Sequence, residues 1–347
     1  MNDYLRTRLA ERNHRYQAEL EDYFRREIVE RYPERAAARW HRDYSSVEAY
    51  EQSVAPNREH WRAVLNPPDL QITGPLQAEP VEGLEGMGAQ FLRLPLDAPL
   101  RAEAILAAPE GAGPHRLVVC QHGVGSTPEH VMGLVDPDGA YHAFGRRLVE
   151  SGFAVLAPFQ LADNGPRSRI VRMATMLGTT LPGVELARLQ RLLDVVLARP
   201  EIDEQRNGYW GLSLGGMAAQ FFTPLEPRLK TAISAAWFNA RLRKMVIPDP
   251  RYSCFLDTNG EHIWLRNWLG EFNDADQLSL ICPRPVLVTT GKADSIAWWP
   301  QVVAEFEEAR GHYERLGLAD RIALDLHEGG HEIRWETGLA WLQKWLA

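Results

Sequence analysis

The sequence predicts an α/β fold in which a mostly parallel central sheet is flanked by helices and preceded by a helical extension. Three observations carry this. From about residue 70 onward, short apolar runs alternate with helical stretches, the pattern of a parallel sheet covered on both faces. A sharp Gly211-Leu212-Ser213-Leu214-Gly215 turn sits between one such run and the next helical stretch. Residues 1–65 are rich in Arg, Glu and Ala, with Leu5, Leu9, Tyr16, Leu20, Tyr23, Phe24 and Ile28 recurring near helical spacing.

The elements follow in order. Pro33 breaks the first helical run or opens a second helix, and Asn66-Pro67-Pro68 ends the helical region. Residues 90–94 and 102–107 form an opening pair of strands. Buried strands are expected at 117–120 and 153–157, with a helix over 140–151 between them, stopped at Gly152. A strong helix spans 186–198 and stops before Pro200. Residues 208–211 form a short strand that leads through the Ser213 turn into a helix reaching Phe222. Strands at 232–236, 285–290 and 321–326 follow, with helices at 301–315 and 337–346. About 45 residues, 239–283, separate two core strands, more than an ordinary crossover needs, so part of this stretch is expected to be an insertion over the active site. The resulting organisation is an N-terminal helical extension over 1–68 and a main domain over 69–347.

Composition bounds the function. The 347 residues are 45% hydrophobic and 24% charged, ordinary for a globular protein with a large core. A net charge of −8 argues against nucleic acid or an anionic membrane as partner. The three cysteines, Cys120, Cys254 and Cys282, have neither disulfide-framework nor metal-site spacing. The polar N-terminal stretch has no apolar core of a secretory signal, and no run of about 18 apolar residues exists to span a bilayer. A cytoplasmic protein is expected. The helical extension is expected to pack on the main domain, with a homo-oligomer joined through these helices as the alternative.

The Ser213 turn carries the chemistry. Its glycines let the backbone turn where a Cβ would clash. The turn lifts the serine hydroxyl above the sheet edge, and the next helix aims its first amides at the same place. A serine needs a base. Among eleven histidines, His331 is best placed, on the glycine-rich loop after the last strand; His327 competes but belongs to the strand end. The third member is a carboxylate that holds the imidazole in the right tautomer. Asp294 sits directly after strand 285–290, where sites gather in open α/β sheets; Asp257, Asp274 and Asp276 are rivals within the insertion. The oxyanion donors are expected to be the amide of Leu214 and, from Gln121-His122-Gly123-Val124-Gly125, that of Gly123 or Val124, with Val124 preferred. His122 is then structural.

From about residue 70 the chain resembles the α/β-hydrolase superfamily, in the branch of acetyl-xylan-esterase-like and dienelactone-hydrolase-like proteins. The resemblance rests on the His122-Gly123 loop, the segment Leu177 to Gly183, Arg199-Pro200-Glu201-Ile202-Asp203, the Gly211 to Gly216 elbow, Pro283 to Leu287 leading to Gly291 and Asp294, and Gly330-His331. It implies the α/β-hydrolase fold and places nucleophile, acid and base on Ser213, Asp294 and His331. Dienelactone hydrolases carry cysteine in the elbow where this chain has serine.

The expected function is a serine hydrolase that cleaves small-molecule carboxylic esters through an acyl-serine intermediate, with no metal or organic cofactor. Amide or peptide cleavage on the same fold is the alternative, and a non-catalytic binding protein a further one. The substrate pocket is expected to be aromatic: Trp264 and Trp268 in the insertion would share a helical face, Trp298 and Trp299 follow the acid, and Met176 precedes the elbow.

Overall fold

Apolar runs too short for helices pair here into a single sheet. In the computed structural model, which describes residues 3–111, 113–260 and 263–347, its strands are β1 (Gln77–Pro80), β2 (Gln90–Pro95), β3 (Arg101–Ala107), β4 (His115–Gln121), β5 (Ala154–Pro158), β6 (Ile202–Leu212), β7 (Thr231–Ala235), β8 (Val286–Gly291) and β9 (Ile322–His327). Residues 1, 2, 112, 261 and 262 lie outside the described residues, so the start of the predicted extension and part of the predicted insertion do too.

The strand order is β1-β2-β3-β5-β4-β6-β7-β8-β9. The first three strands and the β3–β5 contact are antiparallel, and every pair from β5 to β9 is parallel. Successive residues of one strand serve opposite faces. Leu117 and Val119 of β4 join the core under the helices Val47–Leu65, Leu181–Val196 and Leu214–Phe222. Val118 and Cys120 join the other core, under Phe144–Glu150 and Trp335–Trp345. After β4 the chain crosses to one side for β5 and then to the other for β6. That reversal opens a crevice at the carboxyl ends of the strands, where ligands bind in open α/β sheets.

Several sequence expectations need correction. β1 and the helix Asn164–Met176 were not anticipated; β1 is exposed at every residue, so it has no apolar pattern to betray it. The expected helix over 140–151 begins only at Phe144, because His142 and Ala143 adopt left-handed φ of 49° and 48°. The short strand at 208–211 is the end of the eleven-residue β6.

The extension divides in two. Pro33 does open a helix, Tyr32–Arg39, after a π-helical stretch at Arg26–Glu30. That helix and Val47–Leu65 pack on the body: Trp61 is fully buried, and Tyr32 and Trp40 both hydrogen-bond the carbonyl of Glu271. The first helix, Asp3–Arg25, does not pack as expected, since none of its residues is buried. Among the described residues, no helix is long and apolar enough to cross a membrane.

Candidate active site

The elbow is built by exclusion of side chains. Ser213 adopts φ +60° and ψ −115°, a region that costs a non-glycine residue about 1–3 kcal/mol. Its amide donates to the Ala235 carbonyl at 2.8 Å, and its own carbonyl accepts from Met217 at 2.9 Å. A Cβ on Gly211 would stand 2.2 Å from the Gly215 carbonyl, and one on Gly215 would stand 2.1 Å from that of Gln121. The strain is therefore held by β4, β6 and β7 closing around a turn that tolerates no side chain at either position.

The two expected oxyanion donors lie in one place. Leu214 opens the helix that follows, and an amide in a first helical turn has no intrahelical partner. In the loop after β4 the Gly123 amide donates to the Tyr141 hydroxyl at 2.6 Å. That bond occupies one of the two candidate amides and leaves Val124. Val124, Ser213 and Leu214 all line a single cavity of about 250 Å³.

His122 braces this loop and is no second base. Its Nε2 accepts from the Gln160 amide at 3.1 Å, so Nδ1 carries the proton and faces the Gly123 carbonyl at 2.9 Å. Burial pulls its titration down to about 4 from the usual 6.5. The unfolded chain then takes up this proton more readily than the folded one. Stability tied to neutral His122 is complete above about pH 6.5 and is lost as pH falls through about 4. Urea midpoints are expected to fall across that window. A His122→Gln variant should start less stable and show a shallower slope; an unchanged slope would contradict this role.

On the other side, the loops after β8 and β9 are tied together. Lys292 donates its amide to His327 at 2.8 Å and Ala293 donates to Gly329 at 3.0 Å. A Cβ on Gly291 would meet the Gly329 and Gly330 carbonyls at 2.2 Å. This packing sets His331 Nδ1 2.8 Å from Asp294 Oδ2. Asp294 is buried, and its second oxygen accepts from the Ile296 amide at 3.0 Å. Two of the three rivals are committed elsewhere: Asp274 pairs with buried Arg241, and Asp276 accepts from Tyr32 and Arg42. His327 turns its Nδ1 to the Gly329 amide at 3.2 Å. With Nδ1 spent on the carboxylate, His331 has Nε2 for a proton. Among the described residues the Ser213 hydroxyl has no hydrogen-bond partner, His331 included.

The aromatic wall is not the one expected. Trp264 and Trp268 share no helical face, because a turn at 266–267 separates them and the short helix starts only at Trp268. Trp268 is buried in the core against Trp61 and Phe221, and Trp264 lines a separate groove with Arg35 and His60. Trp298 lies under the Arg251 guanidinium at 3.7 Å. Trp299 is 37% exposed and Met176 80%. None of these five lines the cavity that holds Ser213.

Its walls are instead Trp237 and Phe238, directly after β7, with Phe255, Ile296 and the buried Lys244. Trp237 and Phe238 had a signal in the sequence, since they follow the strand next to the elbow strand. Phe255 and Lys244 had none. Burial, and then the charge of Arg241, pull Lys244 down to about 7. Its ammonium donates to the Ser253 carbonyl and hydroxyl, each at 3.1 Å, and to the Ile296 carbonyl. The insertion is thereby tied to the loop that carries Asp294. Among the described residues, no group of three or more His, Cys, Asp or Glu is placed to hold a metal ion.

Comparison with known proteins agrees with this architecture. No protein-family model matches the chain. It is 25% identical over 292 residues to the Bacillus subtilis (strain 168) protein described as "Putative hydrolase YtaP", covering 80% of this chain and 95% of that one. A Bacteroides fragilis structure described as a "putative acetyl xylan esterase" superposes with a TM-score of 0.68 at 15% identity, over 84% of this chain and 78% of that one. A CE15 glucuronoyl esterase from Teredinibacter turnerae superposes with a TM-score of 0.62 at 14% identity, over 87% and 86%. The chain has the α/β-hydrolase fold.

Proposed function

We propose that the protein is a serine esterase acting on small carboxylic esters. One observation carries the reading: a backbone-strained serine and two amides suited to an oxyanion line one cavity, whose wall includes Thr290 and Ile296 on either side of the buried aspartate that orients His331. Ser213 attacks the ester carbonyl, and His331 Nε2 takes the hydroxyl proton. The imidazolium is stabilised by Asp294 across the 2.8 Å contact. The oxyanion rests on the amides of Leu214 and Val124. His331 then hands the proton to the departing alkoxide, which leaves as the alcohol. Water repeats the sequence on the acyl-serine and releases the acid. The Ser213–His331 contact closes with substrate in place, as catalytic hydrogen bonds often do.

Cavity size sets the substrate class. A void of about 150 Å³ holds benzene, so about 250 Å³ holds one six-membered ring with a short acyl group. Trp237, Phe238 and Phe255 make that space apolar. Aryl and short-chain esters fill it, while a longer acyl chain would extend past its apolar walls. The esterase names of the fold neighbours agree with the bond cleaved. The test is a panel of aryl acetates, longer acyl esters, acetylated sugars and amides, run beside fluorophosphonate labelling. kcat/KM is expected to be highest for aryl acetates and to fall as the acyl chain lengthens, with the label on Ser213. Labelling of another residue, or equal rates along the acyl series, would overturn the reading.

A further inference from the structure

The first helix, Asp3–Arg25, stands off the body with an apolar stripe that nothing in the fold covers. Leu5, Leu9, Tyr16, Leu20, Tyr23 and Phe24 are each between 37% and 58% exposed, and at helical spacing they fall within an arc of about 100°. Its attachment lies at the C-terminal end, where Arg25 donates to the Val246 carbonyl at 3.0 Å. A helix with no buried face lacks the tertiary packing that supplies most helical stability in proteins.

The charges along it say what covers the stripe. From Asp3 to Arg15 there are four arginines, Arg6, Arg8, Arg12 and Arg15, against two carboxylates. From Tyr16 to Phe24 there are three carboxylates, Glu19, Glu21 and Asp22, and no Lys or Arg. The helix is thus complementary to itself reversed. We propose that the first helices of two copies pair antiparallel and form a symmetric dimer. Set so that Leu5 faces Leu20, the pairing also puts Leu9 against Tyr16, and on the two flanks it brings Arg6 beside Glu21 and Arg8 beside Glu19. Asn13, inside the apolar arc, sits beside the two-fold axis, where a polar residue in an apolar seam fixes register, and the two copies of Arg12 flank it at the edge of the seam, open to solvent. The like pair Asp3 and Asp22 falls at the ends, and Asp22 is already held by Arg26 at 2.9 Å. The antiparallel register brings only Arg12 near its own copy, whereas a parallel pairing would set every arginine level with its own copy. An isologous interface of this kind closes on itself at two chains.

The test uses the full-length protein. Sedimentation should show a concentration-dependent dimer. Leu9→Glu with Leu20→Glu should weaken it by roughly 100-fold or more. Reversal of Arg6 and Arg8 to Glu should weaken it too, and Glu19→Arg with Glu21→Arg added to that variant should restore it. Orientation is read by oxidation, because the native cysteines are all buried. Leu9→Cys combined with Tyr16→Cys should crosslink, while Leu9→Cys alone should not: its copies lie about 10 Å apart along the axis, beyond disulfide reach. A monomer at every concentration, a dimer untouched by the Leu9 and Leu20 changes, or crosslinking by Leu9→Cys alone would each overturn the proposal.

Discussion

Ser213→Ala is expected to lower kcat by roughly 10⁴-fold or more with the fold intact. The serine hydroxyl makes no hydrogen bond among the described residues, so its removal strands no partner. The backbone strain stays, because alanine keeps the Cβ that φ +60° disfavours. Ser213→Gly is therefore equally inactive but more stable than Ser213→Ala, since glycine reaches this conformation without clash. Thermal melts of the two variants, read beside turnover of an aryl acetate, check both halves. Near-native turnover by Ser213→Ala would remove the serine from the mechanism. Equal melting of the two variants would remove the strain argument.

Arg241→Met is expected to destabilise the protein by about 3–5 kcal/mol, the cost of breaking a buried ion pair from one side. Both partners are fully buried, with Arg241 Nη2 2.8 Å from Asp274 Oδ2. The pair also supports the active-site wall. Arg241 donates to the Trp237 carbonyl at 2.7 Å, and Asp274 accepts from the Asn239 amide at 2.9 Å. Burial pushes the Asp274 carboxyl up despite the arginine, which marks a carboxylate that depends on its partner for charge. Removing that partner leaves it stranded in the core. Replacing both, as Arg241→Met with Asp274→Leu, should recover much of the loss, because no buried charge remains. Urea denaturation of the two variants is the measurement. A loss under 1 kcal/mol for Arg241→Met would show that the pair does not hold the wall.

Legibility in the sequence followed the range of the forces involved. The core strands β4 to β8 were visible because burial on both faces demands unbroken apolar runs. β1 escaped, because an exposed edge strand makes no such demand. At the site, Ser213, Asp294 and His331 were nominated by the rule that strand ends carry chemistry. The same rule preferred Asp294 to Asp274, which lies in the insertion, but what each carboxylate contacts took the fold: one faces His331 and the other a buried arginine. The pocket was misassigned for the same reason. Trp268 looked available in a long insertion, yet the insertion folds back onto the Val47–Leu65 helix and buries it beside Trp61.

By itself the sequence determined the alternation of strands and helices, the turn at Ser213 and the position of Asp294 and His331 on loops that follow strands. These follow from periodicity and from backbone freedom at glycine, which act over a few residues. Only the tertiary structure showed that the Gly123 amide is taken up by the Tyr141 hydroxyl, 18 residues along the chain. Only it decided that Trp237 and Phe255 form the wall and that the first helix stands bare. Those outcomes depend on which surfaces meet, and that is settled by contacts between residues far apart in the chain.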